Sequence, residues 1–113
     1  MIVDKFDRDE NPDWEPHALV EVYFTNKKIA VKNGYCPLYK IKEDYLTSTK
    51  HWFIEKGEAA PNEVTQAFVN FITPDAYPHS LEVGGEVDIC EGRNLVGKAK
   101  IQEVYLELLC KYS

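Results

Sequence analysis

Apolar and polar residues alternate in three separated stretches of this chain, with the two-residue period of a strand rather than the 3.6-residue period of a helix. In Ala18–Thr25 the set Ala18, Val20, Val22 and Phe24 is wholly apolar, while Leu19, Glu21, Tyr23 and Thr25 share the opposite face. The first set is expected to point inward. Val64–Thr73 carries apolar residues on both faces toward its end, which suits a strand buried between layers, and Pro74 stops it. The third stretch, Ser80–Leu106, holds two alternating runs separated by Gly92, Arg93 and Asn94, with Val87 and Ile89 inside the first run. That is a β-hairpin pattern. Gly97, near the start of the second run, predicts a bulge or bend of the kind that closes a sheet into a barrel.

The segments between these runs are read from their turn chemistry. Asn26, Lys27 and Lys28 predict a polar turn pairing Ala18–Thr25 with Ile29–Lys32 as a hairpin. Asn33-Gly34 is a turn pair, and Pro37 gives Tyr35–Ile41 an edge or an irregular crossing. Lys42–Lys50 reads as a polar loop with one helical turn around Glu43–Leu46, and His51–Glu55 as a short extended piece. Lys56–Glu63 is a loop, and Asp75–His79 another that exposes Tyr77 and Pro78. No internal repeat or long helical stripe is present. Six to seven strands with closely spaced turns predict an all-β protein, a small closed β-barrel, with a sandwich as the alternative. The expected organisation is an acidic N-terminal arm over residues 1–17, broken by Pro12 and Pro16, and a barrel domain over residues 18–113. Phe6 and Trp14 are the arm's large apolar residues and suit tacking it onto the barrel or contacting a partner.

Composition narrows the function classes. The chain has 113 residues, enough for one core, and 44% hydrophobic residues, an ordinary globular share. A formal net charge of -6 disfavours a general grip on a phosphate backbone and points to protein partners, or to a nucleic acid touched by a small local patch. Cys36, Cys90 and Cys110 are odd in number and lack metal-ligand spacing, so neither a disulfide framework nor a zinc site is implied. With no signal-peptide profile and no apolar run of membrane-spanning length, a cytoplasmic location without membrane contact is the expectation.

Beyond composition, Leu19–Leu106 resembles the C-terminal β-barrel domain, the third domain, of elongation factor Tu. The likeness rests on VEVYF, on GYCPLY where the family has GYRPQFY, on a strand ending FITP, and on LEVGGEVDICEGRNLVGKAKIQEV. Glu91-Gly92-Arg93 and Val96-Gly97 sit at the spacings of the family's last hairpin. The chain holds no GxxxxGK[ST] loop and no Asn-Lys-x-Asp guanine reader, so no nucleotide binding is implied; it looks like the barrel standing alone, as in small bacterial proteins built on this module. In the family, the corresponding Glu-Gly and basic residues before the GYRPQ block hold the T-stem backbone of tRNA. The resemblance therefore implies a contact surface at Lys27, Lys28, Glu91 and Gly92. Cys36, Leu38 and Cys90 stand where the family has Arg, Gln and Arg, which weakens both a phosphate contact and docking to a GTPase domain.

Among the remaining residues, Tyr35, Tyr39, Trp52 and Tyr77 are a candidate aromatic contact patch, with core filling the plainer reading. Cys36 and Cys90 invite a redox pair but are more often small fillers. His51 and His79 are expected on surface or loop, with no Cys or Ser at a recognisable triad spacing. Glu82, Glu86, Asp88 and Glu91 make an acidic edge, read as solvated and protective against edge pairing. No catalytic residue, metal site or cofactor is indicated. The leading expectation is a non-catalytic binding module with a protein partner, including the form of an immunity or inhibitor protein against a basic nuclease. A translation-related module touching tRNA or a translation factor is the second reading, disfavoured by net acidity, and an enzyme with an unrecognised site the third.

Overall fold

The computed structural model describes residues 16–42, 45–54 and 57–110. Residues 1–15, most of the expected arm, lie outside the described residues. Eight strands follow in order: β1 (Ala18–Phe24), β2 (Val31–Lys32), β3 (Leu38–Lys42), β4 (Tyr45–Phe53), β5 (Glu58–Ala59), β6 (Val64–Phe71), β7 (Glu86–Glu91) and β8 (Asn94–Val104). Six of them close an antiparallel barrel in the order β1-β6-β4-β3-β7-β8, and β2 pairs with β5 as a separate two-stranded flap. Among the described residues only short 3-10 turns, Pro74–Ala76 and Glu107–Leu109, interrupt the strands, and no helix is long and apolar enough to cross a membrane. The fold is the small closed all-β barrel that the alternation predicts.

The predicted inward set of β1 is buried throughout: Ala18, Val20, Val22 and Phe24 face the interior. They meet Ala67, Val69 and Phe71 of β6, Ile89 of β7, and Val96, Ala99 and Ile101 of β8 in one core. Burying each of the larger side chains contributes about 1.5–3 kcal/mol, and this sum is the main force closing the wall. β8 does not keep a strict two-residue period. Ile89 pairs with Gly97 but Cys90 pairs with Leu95, so Val96 is the extra residue of a bulge. The bulge rephases the strand so that Val96, Ala99 and Ile101 all point inward. Gly97 is the second half of that device. A Cβ there would overlap the Tyr23 carbonyl and sit 2.9 Å from Phe24 Cα, so glycine permits the close approach of β8 to β1 that seals the barrel.

Three expectations need correction. Lys42–Lys50 is not a loop: β4 runs from Tyr45 to Phe53, and Glu43 lies outside the described residues. The polar residues Thr47 and Thr49 point inward because their hydroxyls find partners, Tyr77 OH at 2.8 Å and the Pro37 carbonyl at 3.0 Å. Second, Val31–Lys32 does not pair with β1; Val31 lies opposite Ala59 and Lys32 opposite Glu58. Asn33 explains the diversion, since its Oδ1 accepts from Phe53 N at 2.6 Å and its N–H donates to the Gly57 carbonyl at 2.9 Å. Third, Tyr77 is buried, plugging the end of the barrel opposite the flap together with Leu81 and Leu109.

The chain enters the barrel at His17. Its N–H donates to the Val69 carbonyl, its carbonyl accepts from Tyr105 and Leu106, and its Nδ1 accepts from Phe71 N at 3.0 Å. His17 thus belongs to the barrel end.

Candidate binding end of the barrel

Strands β1, β4 and β7 finish, and β3, β6 and β8 begin, at one end of the barrel, so the connections 25–37, 54–63 and 92–93 crowd together there. The turn between β7 and β8 is fixed by Gly92, whose φ of 62° opens a two-residue loop between the paired residues Glu91 and Asn94. A glycine at the first central position is what a II′ hairpin turn requires. The turn holds the Glu91 carboxylate toward the neighbouring connection. There Lys27 Nζ donates to Glu91 Oε2 at 2.8 Å and Tyr35 OH donates to the same oxygen at 2.6 Å. Lys27 also stands 5.9 Å from the centre of the Tyr35 ring. Asn26 Nδ2 adds a bond to the Leu95 carbonyl at 2.9 Å, tying the loop after β1 to the start of β8.

These bonds set the electrostatics. The donors Lys27 and Tyr35 hold the Glu91 carboxyl below the usual carboxylate range, and burial, reinforced by Glu91, pushes the Tyr35 phenol well up. The Lys27–Glu91 pair remains partly exposed and is worth ~1 kcal/mol or less, so it fixes geometry more than it supplies stability.

Beneath this rim the interior holds an imidazole. His51, expected on the surface, is fully buried on β4. Its Nε2 lies 2.6 Å from Tyr39 OH, its N–H donates to the Tyr35 carbonyl and its carbonyl accepts from Gly34 N. The Nδ1 atom faces no hydrogen-bond partner among the described residues. Burial lowers the His51 pKa to about 3 and raises the Tyr39 phenol well above its ordinary value. Rings of Tyr35, Tyr39 and Phe53 surround the imidazole at centroid distances of 5.8, 5.3 and 5.7 Å. A neutral imidazole in this setting fastens the β2–β3 connection to β4.

The structure brings Lys27, Glu91, Gly92 and Tyr35 together at this end, and Lys28 stands exposed on the same loop. It does not assemble the aromatic patch. Tyr39 and Tyr77 are wholly buried inside the barrel, and Trp52 lies on the outer wall of β4 in a separate cluster with Phe68. The reason is the strand period: Tyr39 falls on the inward side of β3, and Trp52 on the outward side of β4. Cys36 is exposed and donates to the Gly34 carbonyl at 3.0 Å, Cys90 is buried, and both are free thiols. Burial, with Asp88 nearby, raises the Cys90 thiol, which makes it a poor nucleophile. Glu86 and Asp88 of the acidic edge lie opposite Lys100 and Lys98 of β8, so cross-strand charge pairing accompanies their solvation.

Two residues of this end were not singled out from the sequence. Asn33 gave only a turn signal. Ile29, expected in the Ile29–Lys32 strand, has the largest apolar exposure among the described residues at 73%, and its flanking Lys28 and Ala30 offer no alternation to bury it. No protein-family model matches this chain, and no curated protein sequence matches it.

Proposed function

We propose that this chain is a non-catalytic binding module that recognises a protein partner through the loop end of its barrel. The observation that carries the reading is the contrast at this end: Lys27, Tyr35 and Glu91 are consumed in holding the loops to one another, while Ile29 stands 73% exposed beside Lys28. A fixed loop presenting an apolar side chain with a cationic neighbour has the make-up of an interface anchor and its rim. Because the interior titratable groups, His51 and Tyr39, are sealed and held neutral, the reading assigns no acid–base chemistry here. The inhibitor form against a basic nuclease calls for an acidic docking surface; at this end the exposed Lys28, Lys32 and Arg93 are mixed with exposed Glu63, and Lys32 lies opposite Glu58.

The same exposed cations support a second reading, contact with tRNA. On this reading, which rests on the resemblance to the elongation factor Tu barrel, the contact surface would be Lys27, Lys28, Glu91 and Gly92. Lys27 is already engaged by Glu91, which leaves fewer free charges for a phosphate backbone.

Both readings are separated by capture on the immobilised full chain, comparing the wild type with Ile29→Asp and with Lys28→Glu/Arg93→Glu. A protein enriched by the wild type and lost with Ile29→Asp is the expected result. Retention of total tRNA at low salt, lost with the charge reversal and indifferent to Ile29→Asp, establishes the second reading in its place. Neither protein nor tRNA depending on these residues rejects the loop end as a binding surface.

A further inference from the structure

A groove of about 290 Å³ opens on the outer wall where β1 lies between β6 and β8, at the loop end of the barrel. Strand register builds it. Tyr23 pairs with Val64 on one side and with Lys98 on the other, so these three side chains point outward together. Leu95 and Gly97 of β8 complete its apolar lining. Tyr23, Val64 and Leu95 are 40%, 62% and 41% exposed, so that lining faces solvent. The charges of the groove balance: Glu21 and Glu86 are matched by Lys98 and Lys100, in a chain whose net charge is -6.

Beside the groove stands a side chain of the complementary kind. The loop after β1 is hooked to the β8 wall of the groove, with Asn26 Nδ2 donating to the Leu95 carbonyl and Thr25 N to the Val96 carbonyl, both at 2.9 Å. Ile29 follows Asn26 by three residues, within roughly 10 Å of chain. At 73% exposure it protrudes from the loop and does not fill the groove of its own chain.

We propose that the groove is the seat of Ile29 from a second copy of this chain, each copy giving its Ile29 and receiving the other's across a two-fold axis. The inference rests on Ile29 being an interface anchor, and it names the partner. A projection and a recess on one end of one chain are both satisfied by a reciprocal contact, which closes; a head-to-tail contact leaves one of each open. Charge favours the same partner. Two chains of net charge -6 repel over most of their surface, whereas two lysines and two glutamates around one groove let two copies of this face meet without net repulsion. An apolar centre inside a charged rim is also how contacts between folded chains are built.

The test is sedimentation equilibrium of the full chain over a concentration series. The wild type is expected to be a dimer, and Ile29→Asp and Val64→Lys each to weaken it at least about tenfold, with far-UV circular dichroism and urea midpoint unchanged. An equimolar mixture of the two variants is expected to recover the dimer, because the introduced carboxylate meets the introduced ammonium and the remaining Ile29 meets an unaltered groove. In the unaltered protein, NOEs between differently labelled chains are expected from the Ile29 methyls to the Tyr23 ring, and a dimer without them overturns the proposal whatever the variants do. A dimer indifferent to either substitution, or a mixture no better than its components, overturns it too. A wild type that is monomeric throughout the micromolar range overturns it and leaves Ile29 as an anchor only if a different protein is captured through that residue; a monomer that captures nothing rejects both.

Discussion

A buried imidazole whose Nδ1 meets no hydrogen-bond partner among the described residues makes the stability of this barrel depend on pH in a defined window. His51 keeps its ordinary pKa of 6.5 when the chain is unfolded and falls to about 3 in the barrel, because burial penalises the cation. The unfolded chain therefore binds a proton that the folded one refuses, and stability falls as pH drops below the unfolded value. The stabilisation is complete above about pH 7 and is lost progressively down to the folded value, at up to ~1.4 kcal/mol per pH unit. By about pH 5 the loss from His51 alone is ~2 kcal/mol, a large part of a small domain's stability. Glu91, whose pKa is depressed, loses its contribution only below the ordinary carboxylate range and stays outside this window. His17 does titrate within it: burial lowers its pKa too, and protonation of Nδ1 would end the bond from Phe71 N. The assay is urea unfolding at about pH 7 and about pH 5 for the wild type, His51→Gln and His17→Gln, with each variant's loss between the two pH values compared. His51→Gln retains a polar partner for Tyr39 and is expected to be less stable at neutral pH but to lose ~2 kcal/mol less than the wild type on acidification. An identical loss in wild type and His51→Gln refutes the reasoning.

Other predictions follow from single contacts. Gly97→Ala places a Cβ against β1 backbone and is expected to cost at least ~1–3 kcal/mol, read as a drop in urea midpoint at unchanged m-value. Tyr77→Phe leaves the Thr47 hydroxyl buried without its partner and is expected to cost ~1–2 kcal/mol by thermal unfolding; a neutral result means another acceptor takes over. Glu91→Gln removes the ionic half of the rim cluster, with a stability loss of ~1 kcal/mol or less. Its clearer mark is faster amide exchange in the loop after β1, measured by NMR, and an unaltered exchange profile counts against the clamp.

How much of this was readable beforehand depended on whether a strand's inward residues look apolar. β1 was legible because Ala18, Val20, Val22 and Phe24 alternate without exception, and the β7–β8 hairpin because Glu91-Gly92 marks its turn. β4 was hidden because its inward column reads Thr47, Thr49, His51, and a hydroxyl or imidazole becomes a core residue only when Tyr77, Pro37 and Tyr39 come within bonding range. Those partners are distant in sequence, so no local window contains the signal. The flap was missed for the same reason: Asn33 looks like a turn residue until Phe53 N supplies its donor. At the candidate site Lys27 and Glu91 came through resemblance, whereas Ile29 is visible only as surface once the loop around it is placed.

The place of β1 bears on how the protein comes into being. Synthesised first among the strands, it is flanked in the finished barrel by β6 and β8, with Ala18 set against Val69 on one side and Val104 on the other. Both neighbours follow β1 in the chain, and closure waits for β8. Through that interval a strand with one wholly apolar face has no native partner, which makes the nascent chain a substrate for chaperones and any C-terminal truncation short of β8 an aggregating species.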